Sequence, residues 1–124
     1  MKLSTLIYSV ILLLIFCSHS GAEDWVELTR NASWTVTYYI DKDSIHSAGN
    51  KITFWDKREV SDDPDFTEIR GYLEVDCVEN NYRTIQIIGY GKNGDSSKYE
   101  DAGQWQKIDV TSAISVYHGY LCKK

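Results

Sequence analysis

The sequence predicts an α+β domain, with one antiparallel sheet of about five or six strands and a single C-terminal helix packed on it. Three observations carry this. Apolar and polar residues alternate at period two in successive runs between Trp25 and Gly91. Turn-forming residues rather than helical stretches separate those runs, which favours antiparallel neighbours. The period changes once, near the end, where Ile114, Tyr117 and Leu121 fall at helical spacing.

The elements follow in order. Glu23 to Arg30 alternates Trp25 with Val26 and Leu28, an opening strand closed by the turn Asn31-Ala32-Ser33. Trp34 to Ile40 places Trp34, Val36, Tyr38 and Ile40 on one face with threonines between, a β-favouring composition, and assigns Trp34 to the core beside Val36 and Tyr38. After the polar break Asp41 to Ser44 and the turn Gly49-Asn50, Lys51 to Val60 sets Ile52, Phe54 and Asp56 against Thr53, Trp55 and Lys57. Ser61 to Asp65 ends that strand around Pro64, the chain's one proline.

Tyr72 to Tyr90 reads as the central hairpin. Leu73, Val75 and Cys77 alternate with Glu74 and Asp76 in a strand running from Phe66 to Val78 and bent at Gly71. The turn Glu79-Asn80-Asn81 leads into the strand Tyr82 to Gly91, because asparagine tolerates the positive φ of short hairpin loops. Lys92 to Gly103 is polar and rich in turn formers, which predicts a flexible loop. Gln104 to Asp109 is short, and the helix follows with Thr111 or Ser112 as its N-cap.

Residues 1–22 have the layout of a secretory signal: Lys2, the apolar run Leu6 to Phe16, then Ser20-Gly21-Ala22 before Glu23. The apolar run is short of the ~20 residues a spanning helix needs. Cys17 offers a rival reading, since bacterial lipoproteins are cut before a cysteine. Phe16, however, is bulky where that motif takes a small residue. Cleavage after Ala22 leaves residues 23–124 as one domain and takes the net charge from −5 to −6, since Lys2 is the one charged residue lost. An acidic chain lacks the basic face that nucleic acid requires.

Of three cysteines, Cys77 and Cys122 survive that cleavage, an even number in a chain sent to an oxidising compartment, and they are expected to form a disulfide. Catalytic chemistry has little to stand on. His46 and His118 lack the ligand spacing of a zinc site. His118 and Cys122 share a helix face four residues apart, but Cys77 would consume that thiol. Asp62, Asp63 and Asp65 lack the ligand ladder of a calcium loop. No phosphate loop, nucleophile elbow or dinucleotide fingerprint is present, so the expectation is a non-enzyme with no metal and no cofactor.

The aromatic content is high: four tryptophans and, outside the leader, eight tyrosines. Tyr39, Trp55, Tyr82 and Tyr90 fall on the sheet face away from Phe54. The favoured arrangement has the C-terminal helix covering that face; left bare, it could bind a partner protein or a sugar through side chains that combine area with a polar handle.

Trp25, Tyr39-Ile40-Asp41 with Ser44-Ile45, Phe54-Trp55, Asp76-Cys77, Tyr82-Arg83, Tyr90, Gly94, Trp105 with Ile108, Ser112 and Cys122 together resemble the surface-adhesin protein E family. The resemblance covers nearly all of residues 23–124. It implies an exported protein of Gram-negative bacteria, periplasmic or on the cell surface, with an antiparallel sheet and a packed C-terminal helix. It also implies host extracellular-matrix or plasma proteins as partners. The alternative is an envelope-associated structural domain with no dedicated ligand. No stretch matches a host-binding segment residue by residue, so the candidate contact residues are Tyr99 in the Lys92 to Gly103 loop, then Trp55 and Tyr90 on the sheet.

Processing has a direct check. The intact mass of the exported protein should correspond to a chain beginning at Glu23, and a lipid-modified chain beginning at Cys17 would contradict that.

Overall fold

A computed structural model describes residues 23–100 and 103–123; the leader and Cys17 lie outside the described residues. The chain forms β1 (Trp25–Arg30), β2 (Val36–Asp41), β3 (His46–Ala48), β4 (Lys51–Val60), β5 (Phe66–Asp76), β6 (Asn81–Gly91), β7 (Ser96–Glu100), β8 (Gln106–Lys107) and the helix α1 (Ala113–Leu121). All strands join one antiparallel sheet in the order β1-β2-β4-β5-β6-β7, with β3 added beside β4 and β8 beside β6. Among the described residues the sheet thus has eight strands rather than five or six. Two of the additions, β3 and β8, are only three and two residues long.

A third addition is β7. The segment expected as a loop, Lys92 to Gly103, instead turns tightly at Gly94, where φ is +89°, and pairs Ser96–Glu100 with β6. Its residues are all exposed, so no apolar alternation marks it. The open edge of β6 supplies the backbone partners, and pairing rather than side-chain burial makes the strand.

One sheet face is the core. Ile40, Ile52, Phe54, Leu73 and Val75 are buried there and α1 packs over them through Tyr117, which is 2 % exposed. The Tyr117 ring meets Phe54 and Tyr38 edge-on, with centroids 5.6 and 6.4 Å apart. Its hydroxyl donates to Asp56 Oδ2 at 2.9 Å, and Arg58 Nε donates to the same oxygen at 3.0 Å. Burial pushes the Asp56 carboxyl above the usual carboxylate value, against the opposing pull of Arg58. Burial, reinforced by Asp56, drives the Tyr117 hydroxyl well up, so it remains a proton donor. Gly71 is required beside them, because a Cβ there would stand 2.6 Å from Asp56 Oδ1.

The helix therefore lies on the face opposite Trp55, Tyr39 and Tyr90, and the favoured arrangement of the sequence reading is reversed. The apolar positions of β4 and β5 define the core face, and α1 buries its own apolar stripe only against them. Tyr82 is a second correction, since it packs with the core. A bulge where Tyr72 and Leu73 face Gln86 and Thr84 inserts Ile85 into β6 and shifts the phase of everything beyond it. Trp34 is a third: it sits before β2 with φ at +60° and is 72 % exposed, so it takes no part in the core alternation.

Cys77 and Cys122 form a disulfide with Cα atoms 5.6 Å apart, tying the end of α1 to the end of β5 across 45 positions of sequence. The chain-entropy account gives roughly 4 kcal/mol for a loop of that size. The turn after β5 is held by the Asp76 carboxylate, which accepts from Val78 N at 2.9 Å and Glu79 N at 3.0 Å. Asn80 supplies the positive φ, at +53°. Ser112 caps α1 without a side-chain acceptor bond; its hydroxyl donates instead to Asp109 O.

Tyr117→Phe keeps the ring and removes only the hydroxyl from Asp56. Hydrogen bonds to charged groups contribute about 1.5–3 kcal/mol, and urea unfolding should show a loss in that range with the disulfide intact. No change in stability would mean that the Asp56 contact does not hold the helix.

Candidate functional site

Strand register places a continuous row of aromatic and cationic side chains on the helix-free face. Tyr39 pairs with Lys57, Lys57 with Arg70, Trp55 with Tyr72, and Arg70 with Ile88, so these side chains project together. The Lys57 ammonium lies 4.6 Å from the Tyr39 ring centre and 4.8 Å from that of Trp25. The Arg70 guanidinium lies 5.2 Å from Trp25 and 5.3 Å from Tyr90. The result is a ladder Tyr39–Lys57–Trp25–Arg70–Tyr90, each cation held between two rings within the ~6 Å reach of a cation–π contact. Trp55 and Tyr72 stack beside it at 5.2 Å.

Carboxylates fix the cations in place. Arg70 donates to Glu68 at 2.7 Å and reaches Glu23 at 3.2 Å, while Lys57 lies 3.7 Å from Glu59. Burial alone would weaken the Arg70 charge, but Glu68 and Glu23 overcome that and hold its pKa above the ordinary value. Burial, and then the Glu59 carboxylate, raise the Tyr39 hydroxyl. Toward the other end of the face, Trp105 packs over Arg83 at 5.1 Å and Lys51 at 5.4 Å, and Arg83 is paired with Glu74 at 2.7 Å. The face is rich in charge yet locally neutralised.

Two of the three contact residues expected from sequence come together here. Trp55 and Tyr90 line one cleft of about 190 Å³ with Trp25, Arg70 and Ile88. Tyr99 does not join them. It pairs with Ile87 on β7 and so belongs to the opposite face, where it is 67 % exposed. The reading of residues alone missed Lys57 and Arg70, whose signal is cross-strand: each becomes adjacent to aromatics only once β4 is registered against β2 and β5.

Among the described residues, one cluster of metal-ligand type occurs, formed by Cys77, His118 and Cys122. Its two sulfurs are bonded to each other. His118 Nε2 lies 3.3 Å from Asp76 O, a structural contact at the helix end. Asp63 serves as a turn acceptor for Asp65 N and Phe66 N, and those two hydrogen bonds lower its pKa.

Among the described residues, a single antiparallel sheet capped on one face by a C-terminal helix, with an aromatic, locally neutralised opposite face, defines a small α+β domain. Within that class the chain belongs to the surface-adhesin protein E family, whose family model matches residues 25–123. A solved structure, that of Haemophilus influenzae protein E, is similar in fold, with a TM-score of 0.56 and 14 % sequence identity over 83 % of this chain and 86 % of that one. No curated protein matches the sequence. Among the described residues, no helix is long and apolar enough to cross a membrane.

The ladder makes an energetic claim. Arg70→Met keeps most of the side-chain bulk but removes both cation–π contacts, each about 0.5–1 kcal/mol or more when desolvated, and the Glu68 pair. Stability by urea unfolding should fall by about 1–2 kcal/mol; an unchanged midpoint would show that the aromatic row stands without its cations.

Proposed function

We propose that this is an exported adhesin-type binding protein that contacts host extracellular-matrix or plasma glycoproteins through the helix-free face of its sheet. The observation that carries this is the aromatic–cation ladder on a face that no helix covers among the described residues. Tryptophan, tyrosine and arginine are the residue types in which interface energy concentrates. Trp25, Tyr39 and Arg70 are held in position by the carboxylates of Glu23, Glu59 and Glu68, so less of their side-chain entropy remains to be lost on binding. Family membership supports the adhesin reading, and the short signal-like leader with Ser20-Gly21-Ala22 supports export. Local neutralisation of charge fits a protein partner better than a polyanion.

The test uses the exported mature chain and immobilised plasma and basement-membrane glycoproteins at physiological salt. Saturable binding at or below micromolar concentration is expected. Trp55→Ala and Tyr90→Ala should each weaken it about tenfold or more, the effect of a hot-spot residue. Tyr99→Ala, on the opposite face, should leave it unchanged, and circular dichroism checks that each variant is folded. Absence of saturable binding would overturn the reading, as would loss of binding in Tyr99→Ala alone.

A further inference from the structure

We propose that the cleft beside Trp34 is a subsite for a neutral pyranose residue of a glycan. Trp34 is the first indication. Its φ of +60° is a left-handed conformation that glycine and asparagine adopt readily and a bulky aromatic residue does not. The turn that imposes it is tightly built: Asn31 Oδ1 accepts from Thr35 N and Val36 N, both at 2.9 Å, and Trp34 N donates to Asn31 O at 3.1 Å. The indole reached by this strain lies outside the core cluster and is 72 % exposed, with the Arg30 guanidinium set 4.9 Å from its centre. A fold that needed just the turn would be better served by glycine. Strain retained for an exposed side chain points to use of that side chain.

The second indication is independent of the first. Trp34 borders a cleft of about 420 Å³, within the ~300–1,000 Å³ range of small-ligand sites, lined by the hydroxyl residues Thr35, Thr37 and Thr67 and the carboxylates Glu59 and Glu68. An aromatic plane beside hydroxyls and carboxylates is the complement of a pyranose, which has an apolar C–H face and a rim of hydroxyl donors and acceptors. Both carboxylates already carry cations, Lys57 on Glu59 and Arg70 on Glu68. They can accept sugar hydroxyls without presenting a net field, which selects a neutral sugar over a sialylated or sulfated one.

The inference rests on the reading of this face as the binding face and names the chemistry taken at its Trp34 end. Three measurements test it with the mature chain: titration with a neutral lactosamine oligosaccharide followed by tryptophan fluorescence, the same titration with the sialylated oligosaccharide, and binding to a plasma glycoprotein before and after enzymatic removal of its N-glycans. Neutral lactosamine should perturb the emission saturably and bind at least fivefold tighter than its sialylated counterpart. Trp34→Asn, which suits the backbone, should leave the melting temperature unchanged or raised while weakening the lactosamine by tenfold or more. No saccharide binding, or binding that survives Trp34→Asn undiminished, overturns the subsite. Glycoprotein binding that is indifferent to both deglycosylation and Trp34→Asn also overturns it and leaves the protein-binding reading standing. Saccharide binding lost in Trp34→Asn without any glycoprotein binding supports the subsite and removes only the protein-binding reading.

Discussion

The hydrogen bond from the Tyr117 hydroxyl to the buried carboxylate of Asp56 is the constraint on which the arrangement of this molecule depends. A carboxyl group on a residue at 0 % exposure needs hydrogen-bond partners, and Arg58 and Tyr117 supply them to Oδ2 from the strand and from the helix. An apolar helix could slide on an apolar sheet. One that must deliver a hydroxyl to a fixed carboxylate has a single seat. The Cys77–Cys122 bond at the other end of the contact removes rotation about that seat. A nine-residue helix with Gly119 in its interior, marginal by propensity, is thereby set in one place.

The functional consequence lies on the reverse side of the sheet. Because Ile52, Phe54 and Asp56 commit one face of β4 to the helix, Trp55 and Lys57 are committed to the other. The same alternation in β2 and β5 brings Tyr39, Arg70 and Tyr72 alongside them, and the bulge in β6 puts Ile88 and Tyr90 in phase with that row. The aromatic face is what a period of two leaves over once the core is satisfied. Its cations stabilise it as well as colour its chemistry, since they sit between rings that would otherwise present bare apolar surface to water.

Much of this was legible in the sequence. The alternating runs of β1, β2, β4, β5 and β6, the hairpin at Glu79-Asn80-Asn81 and the helix ending near Cys122 follow from local pattern, and the Cys77–Cys122 disulfide from the count of cysteines left after the leader. What was not legible has physical causes. β7 is an edge strand whose residues all face water, so its sequence resembles a loop. The bulge at Ile85 is invisible to a count of alternation, and it is why Tyr82 reads on the wrong face. Trp34 obeys the period of β2 but precedes it in a left-handed turn set by Asn31, a long-reach side-chain effect that alternation does not record. The apolar positions of β4 and β5 select the covered face, but the seat of the helix on it depends on Asp56 and Tyr117 meeting, a contact between positions 61 apart. Of the candidate contact residues, Trp55 and Tyr90 were reached through strand period, whereas Tyr99 was chosen for loop character that its segment does not have.

The helix closes one face of the sheet, which leaves the opposite face for the partner proposed above. The most direct test is cross-saturation NMR on the isotopically labelled mature chain bound to an unlabelled host glycoprotein, reading which backbone and indole amides lose intensity. The account predicts attenuation at Trp25, Trp55, Lys57, Arg70 and Tyr90, with the amides of Ala113–Leu121 unaffected. Attenuation centred on α1 or on β7, with the aromatic row silent, would contradict it.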